Sequence, residues 1–527
     1  MIPPIRYIEF CWNGAVKKIH LSYTFTKYNW IGVSRIYTSG NPYLFYPVLI
    51  QSNMNEKQAF DRFTTFETVN SAFSKSHNGV YYWDRIRCQV FSEVVEKTGI
   101  WSTNRYSLQS QSETQNLISA GISQGINSLR SLLDSPLFTG DRDILFAAAN
   151  TSRREQFDGT YWDVLVDPLA DRIEYSYTSL ENKSKIREEC DDSIWTEDTT
   201  ATDQLQFISN IGVTIGDSVT IQDNEAAEIR SLEQDIKEIF DVNIDLLTRI
   251  ENELTQRKCK KPLYNQLVDR INPEVVIIRY NPSKSTLIEV CQERGIPVIE
   301  LQHGVDFKHS PSISYDTPIE GELCFPDTYF SWGEHWCDKP DFPIDDVRVV
   351  GWPFLEFVSK KYSSKRAGEG VLFISQPGCG EALSKIAVEV AESTDRKIIF
   401  RLHPKERANW ESIYPWLKSQ DIRIDTGDRA LYEVMADCWA QVGTESTALY
   451  EGLEFNLSTY VFDDFDPQTH PWYEINEIPV FSDSDELSKS LEQGLQVAVN
   501  SDRFFRSDSI ENIQREITEI ISSKGGK

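Results

Sequence analysis

No stretch of this 527-residue chain approaches the roughly 18 to 20 consecutive apolar residues that a helix needs to cross a bilayer, so any membrane association is expected to be peripheral. Its nine cysteines (11, 88, 190, 259, 291, 324, 337, 379 and 438) include no CxxC pair, which fits neither a zinc ribbon nor a dense disulfide framework. Reduced, mostly buried thiols of a cytosolic protein are expected. The N-terminal segment lacks the succession of basic residues, long apolar run and small-residue cleavage site of a secretory signal. Also missing are GxxxxGK[ST], HExxH and GxSxG, which would point to a phosphate-loop kinase, a zinc protease or a serine hydrolase. Positive charge is scarce: 53 Lys and Arg face 81 Asp and Glu, a net of −28. The summed field repels polyanions, so a generic nucleic-acid or anionic-membrane binder is disfavoured. Acidity of this degree also marks proteins adapted to high salt, an origin that 25 Lys against 28 Arg, with no lysine depletion, does not strengthen.

What is present is material for cores. Apolar residues make up 40% and aromatics 12% of the chain, enough for two or three globular domains. Residues 1–140 mix aromatic-rich and serine-rich segments and read as an N-terminal elaboration. From Asp143 the pattern changes to short apolar runs bounded by polar residues: 144–149, 162–166, 275–280, 297–301, 329–332 and 347–353. Between them, residues 191–256 hold 16 acids and 3 bases, nearly half of the net charge. Apolar residues at helical spacing from Ile229 to Ile250 predict one long amphipathic helix across 225–253, preceded by an exposed acidic loop. A solvated helix face explains this charge run better than a docking surface.

A polar linker is expected at 359–370, and the alternation restarts beyond it with runs at 371–375, 397–401, 422–424, 439–442 and 459–462. Short apolar strands alternating with helices of about 10 to 15 residues indicate parallel sheets. The expected architecture is therefore α/β, with two Rossmann-like domains facing a cleft. One spans 141–358 with the acidic loop and helix inserted, the other spans 371–500, and a C-terminal helix lies in 501–527.

Open α/β sheets bind ligands beyond the carboxyl ends of their strands. Four polar clusters fall there: Gln302-His303-Gly304, Gln376 to Gly380 with glycines at 378 and 380, Arg401-Leu402-His403-Pro404-Lys405, and Gly443-Thr444-Glu445-Ser446-Thr447. At the rim of a sheet His303 can act as a general base, or serve structurally by bonding a loop carbonyl. Strand alternation sets Arg401 and His403 on one side, and residues 401–407 carry +2, so they form an anion site or engage in ordinary surface ion pairing. Ser446 and Thr447 open a helix, where they bind phosphate or simply cap it. Glu451, one turn further along the same face, suits a ribose diol. Asp464-Phe465-Asp466 spells DxD and His470-Pro471 repeats a dipeptide, but both read as loops.

Taken together, two α/β halves, QHG in the first, and GWP at 351–353, RLHP at 401–404 and GTESTALYEG at 443–452 resemble glycosyltransferases of the GT-B architecture. More narrowly, the pattern resembles CDP-glycerol glycerophosphotransferases, capsule Kdo transferases and HP-motif sialyltransferases, over about residues 142–480. The resemblance implies a CMP- or CDP-linked or other nucleotide-activated donor and a glycan or lipid-linked glycan acceptor. It implies no cofactor and no metal, and a place in the cytoplasm or at the inner face of the membrane. His403 would contact the donor phosphate, with Arg401, Lys405, Gly378, Gly380, Thr444, Ser446 and Thr447 around it and Glu451 near the ribose. His303 matches the histidine placed as base near the acceptor in the glycerophosphotransferases. In the sialyltransferases an aspartate of an acidic-glycine motif does this work, and Asp158-Gly159 matches loosely, so the base stays open between His303 and Asp158. Glu445, beside the phosphate-binding hydroxyls, departs from the pattern. A UDP-sugar 2-epimerase-like enzyme shares the two-domain fold and a GxP element like Gly351-Trp352-Pro353, but needs several acids around the sugar and usually lacks a long N-terminal extension. A non-catalytic nucleotide-binding protein is the other alternative, because fold alone does not establish activity.

Overall fold

The computed structural model describes residues 7–12, 15–26, 29–35, 54–100, 135–148, 154–157, 160–170, 172–182, 198–216, 218–305, 308–362, 368–419, 422–463, 472, 475–494 and 499–524. Asp158-Gly159, the DxD at 464–466 and His470-Pro471 lie outside them. The chain divides into two compact units, Met1–Met54 and Asn55–Lys527. The first carries an antiparallel sheet of β1 (Tyr7–Trp12), β2 (Ala15–Thr26) and β3 (Asn29–Arg35), in that order.

The larger unit opens with α1 (Glu56–Val69) and α2 (Trp83–Lys97). A reciprocal cap starts α1: Gln58 N–H donates to Asn55 Oδ1 (2.9 Å) and Asn55 N–H to Gln58 Oε1 (3.3 Å). A seven-stranded parallel sheet follows, built from β4 (Ile144–Ala147), β5 (Tyr177–Glu181), β6 (Thr199–Ala201), β7 (Val275–Ile278), β8 (Val298–Leu301), β9 (Thr328–Ser331) and β10 (Val347–Val349), in the order β6-β5-β4-β7-β8-β9-β10. The second sheet has six parallel strands: β11 (Gly370–Ile374), β12 (Lys397–Arg401), β13 (Ile422–Asp425), β14 (Cys438–Gly443), β15 (Ser458–Phe462) and β16 (Val480–Phe481), ordered β13-β12-β11-β14-β15-β16. In both, the strand order reverses beside the first strand, so each sheet has a switch point, β4/β7 in one and β11/β14 in the other. That is the Rossmann order, and the expected pair of Rossmann-like sheets is present. Strands such as β7 and β11 are buried along their whole length, because helices cover both faces of a parallel sheet.

Two expectations are corrected. Residues 162–166 are not a strand of the main sheet: Thr160–Asp163 pairs antiparallel with Arg154–Phe157 in a separate hairpin. The sheet instead takes β5 and β6, whose Thr178, Ser179, Glu181 and Thr200 are polar yet buried. The single helix expected across 225–253 is two, α4 (Asp223–Phe240) and α5 (Leu246–Ile271), and α3 (Asp203–Ile215) precedes them. Asp241 ends α4 in the left-handed region (φ 58°), and Asp245 Oδ1 caps α5 by accepting from Thr248 N–H at 3.0 Å. Of the 359–370 segment, the first residues belong to the helix α7 (Pro353–Tyr362) and 363–367 lie outside the described residues.

One apolar core runs beneath both sheets. Trp332 stacks on Trp352 at 4.5 Å, Tyr450 stacks on Trp472 at 3.9 Å, and Trp336 Nε1 donates to the Phe504 carbonyl at 2.9 Å. The final helix, Ser509–Lys524, returns to the first half: Arg348 pairs with Glu516 (2.9 Å), Tyr175 OH with Thr518 Oγ1 (3.0 Å) and Glu174 N–H with Gln514 Oε1 (3.0 Å). Among the described residues no helix is long and apolar enough to cross a membrane.

Candidate functional site

The switch point of the second sheet gathers three of the four expected clusters. Beyond Ile374 the chain turns through Gly378 (φ 100°) into α8 (Gly380–Ser393). A side chain at Gly380 would strike the Tyr414 hydroxyl, Ser375 Oγ and Glu406 Oε1, so the turn packs against the loop after β12 only because no Cβ intervenes. Gln376 spans the switch: its Oε1 accepts from Thr444 Oγ1 at 3.2 Å, with Glu445 N–H at 3.4 Å. Thr444 is fully buried, with its hydroxyl 3.2 Å from Cys379 Sγ, and joins the two loops from within.

At the end of β12 the two expected donors part company. Arg401 Nη1 donates to Asp425 Oδ2 (2.6 Å) and to the Arg429 carbonyl (3.1 Å), which ties the guanidinium to β13 and the loop beyond it. His403 is half-buried. Its backbone N–H donates to Glu406 Oε2 (3.0 Å), and its Nδ1 accepts from Lys405 N–H (3.2 Å). A backbone N–H only donates, so Nδ1 carries the lone pair and the neutral ring holds its proton on Nε2. Burial lowers the His403 pKa from its ordinary value, with Lys405 and Arg407 adding to the effect and Glu406 opposing it. Glu406, itself buried, fixes this loop a second time by accepting from Tyr414 OH at 2.7 Å. Lys405 is exposed.

Ser446 caps α9 (Thr447–Glu454): its Oγ accepts from Ala448 N–H at 3.3 Å, leaving the hydroxyl proton to point away from the helix. Thr447 is the first helical residue. Glu451 faces inward, and its Oε2 accepts from Tyr432 OH at 2.8 Å.

On the first sheet His303 follows β8 at the same kind of edge. Gln302 clamps that edge: its Oε1 accepts from Trp332 N–H (2.7 Å) and Ser331 Oγ (3.3 Å), and its Nε2 donates to the Gly304 carbonyl (2.9 Å). The half-buried His303 ring sits edge-on to Tyr280 with centroids 5.7 Å apart. Tyr280 stands in the left-handed region (φ 63°), and Glu300 holds the turn there. Glu300 Oε1 accepts from Tyr280 N–H (2.9 Å) and Asn281 N–H (3.2 Å), and Oε2 accepts from Asn281 Nδ2 (2.9 Å). The edges of the two sheets meet where Trp336, just past β9, packs on Tyr450 of α9 at 4.8 Å.

Glu300 is wholly enclosed, and burial pushes its carboxyl up from 4.5 to about 7 despite the donors of Asn281 and Tyr280. Between these values the unfolded chain releases a proton that the folded chain keeps. The stabilisation is thus complete below pH 4.5, declines from 4.5 to about 7 and is gone above. Relative to Glu300→Gln, the wild type is expected to lose roughly 2 to 3 kcal/mol between pH 5 and pH 7. Denaturant unfolding at the two pH values measures this, and parallel pH dependences would overturn it.

Sequence reasoning placed Gln376 in a strand-end cluster without giving it a role, and did not single out Glu406 and Tyr414 on that edge, nor Tyr280 and Glu300 on the other. The only local signal was Glu406, three residues after His403 at capping distance.

No protein-family model matches the chain, and no curated protein matches it in sequence. Solved structures are similar in fold. The MurG of Acinetobacter baumannii is 8% identical with a TM-score of 0.43, over 71% of this chain and 99% of its own. The wall teichoic acid polymerase TagF is 10% identical with a TM-score of 0.41, over 77% and 99%. The UDP-GlcNAc 2-epimerase from Methanocaldococcus jannaschii is 16% identical with a TM-score of 0.36, over 50% and 82%. Likeness of this degree says nothing of substrate or reaction.

Proposed function

We propose that this chain is a glycosyltransferase or glycerophosphotransferase that takes its group from a nucleotide-activated donor, CMP- or CDP-linked, and passes it to a cell-surface glycan acceptor. The observation that carries the proposal is the convergence of the 376–380, 403–406 and 444–447 loops on the β11/β14 switch point, with the His403 tautomer set to donate from Nε2. The leaving nucleotide phosphate gathers negative charge as the bond to the transferred group breaks. His403 Nε2–H, the Ser446 hydroxyl and the amino end of α9 at Thr447 stabilise that charge, with Lys405 alongside, and no metal is needed. Gly378 and Gly380 let the backbone approach, Arg401 and Thr444 brace the wall of the site, and Glu451 is the ribose contact. On the facing edge His303 takes the proton of the acceptor hydroxyl, with Asp158 as the other candidate base.

Titration with CMP, CDP, UDP and GDP is expected to raise the melting temperature with one nucleotide class. His403→Ala is expected to weaken that nucleotide about 10-fold, the value of one hydrogen bond to a charged group. An unchanged affinity would remove His403 from the phosphate. Nucleotide release that quickens with acceptor is the result for a transferase, whereas turnover of the donor with no release would point to an epimerase.

A further inference from the structure

A second polar cleft opens beside the 282–286 segment that follows β7 and the Tyr280 turn. It encloses about 530 Å³ between residues 248–264 of α5, the 282–284 turn and the start of the helix α6 (Ser285–Glu293). No side chain caps α6. Ser285 and Thr286, at the first two helical positions, are 7% and 5% exposed, line the cleft, and show no hydrogen bond from their hydroxyls among the described residues. The charges around them are unevenly spent. Asp245 caps α5, Glu253 lies 4.0 Å from Arg85, and Arg249 is paired with Glu93. Lys260 donates to the Gln256 amide oxygen (2.8 Å) and feels the charge of Glu253, whereas Lys284, half-buried at the cap position of α6, has no acidic partner among the described residues.

We infer that this cleft binds the phosphate of a small phosphorylated polyol or sugar, with the phosphate at the head of α6 between Lys284 and Lys260. A helix amino terminus with two buried hydroxyls, a lysine without an acid at its cap position and a second lysine across the cleft is an arrangement for a tetrahedral oxyanion. The volume exceeds that of a phosphate ion and falls in the range of small-molecule sites. Gln89, Thr248, Asn252 and Gln256 line the remainder with neutral donors and acceptors for hydroxyl groups. Burial, together with Arg279 and Lys260, brings the Lys284 pKa down to about 8, so a phosphate beside it would draw a proton onto the amine. The site is separate from the nucleotide site at the other sheet, and its existence does not depend on that assignment.

Calorimetric titration of the full-length protein at fixed ionic strength with inorganic phosphate, glycerol 3-phosphate and glucose 6-phosphate tests this. A phosphate ester is expected to bind more tightly than the free ion, and Lys284→Gln to weaken it at least about 10-fold. Lys260→Gln, at a half-buried position of α5 that lines the cleft, serves as a second variant and is expected to weaken binding in the same direction. His403→Ala should leave ester binding unchanged. Wild-type ester affinity in both lysine variants, or loss of binding in His403→Ala alone, would overturn the inference by sending the phosphate to the other site. If no nucleotide binds while the lysine variants still lose the ester, the nucleotide assignment falls and the cleft stands.

Discussion

Replacing His303 with alanine is expected to lower turnover by about 10²- to 10⁴-fold while nucleotide affinity stays at the wild-type value. The ring emerges at the rim of the first sheet, whereas every group assigned to the donor lies on the second, so truncation touches only the proton transfer. The neighbouring backbone should hold its place, because Gln302, through Trp332, Ser331 and Gly304, fixes the edge without help from the imidazole. The lost ring leaves Tyr280 with one aromatic neighbour fewer, a small cost at a half-buried position. The decisive measurement is kcat against pH in both proteins. The wild type should lose activity as the base protonates in acid, and the variant should lose that limb of the profile together with its rate. Full activity in His303→Ala would move the base to Asp158.

The second large effect is on stability. Arg87 and Glu67 are both fully enclosed, joined by Nε to Oε1 (2.9 Å) and Nη2 to Oε2 (3.0 Å), and Trp83 Nε1 adds a third donor to the same carboxylate at 2.6 Å. Arg87 Nη1 reaches the carbonyls of Pro311 and Ser314, and the guanidinium lies 4.2 Å from the Tyr315 ring. Arg87→Met leaves a carboxylate in the interior with no counter-charge, which costs about 3 to 5 kcal/mol. Adding Glu67→Gln removes the stranded charge and should recover a good part of that loss. A protein of several domains need not unfold in one step, so amide exchange is the better gauge. Residues 308–316 should exchange faster in Arg87→Met and return toward wild type in the double variant. Unchanged protection in the single variant would show that α2 does not hold this loop, which begins a few residues after His303.

Both sheets were legible because a strand buried on both faces writes itself as an unbroken apolar run, as in Val275–Ile278 and Val371–Ile374. β5 and β6 escaped for the opposite reason. Their Thr178 and Thr200 hydroxyls are buried but bonded, to the Asp198 and Ser179 carbonyls, and a satisfied polar residue looks in sequence like a loop residue. The break between α4 and α5 was invisible because Val242 and Ile244 stay buried through it, carrying the apolar pattern across a change of direction. At the donor edge the motif residues drew notice, while the partners that set their geometry did not. Glu406 fixes His403, Gln376 bridges to Thr444, and Tyr414 answers Glu406. These pairings depend on which loops the topology brings together, and only the strand order supplies that.

The return of the last helix bears on how the chain is made. Ser509–Lys524 covers the strand that ends at Val349, through Arg348 to Glu516 and Asn512 Nδ2 to the Val350 carbonyl. During synthesis the first sheet emerges from the ribosome long before this cover exists, and the strands of the second sheet are all made before the first sheet is covered. The nascent first half therefore waits with an apolar face open, which favours engagement by a chaperone until residues 509–524 arrive and close it.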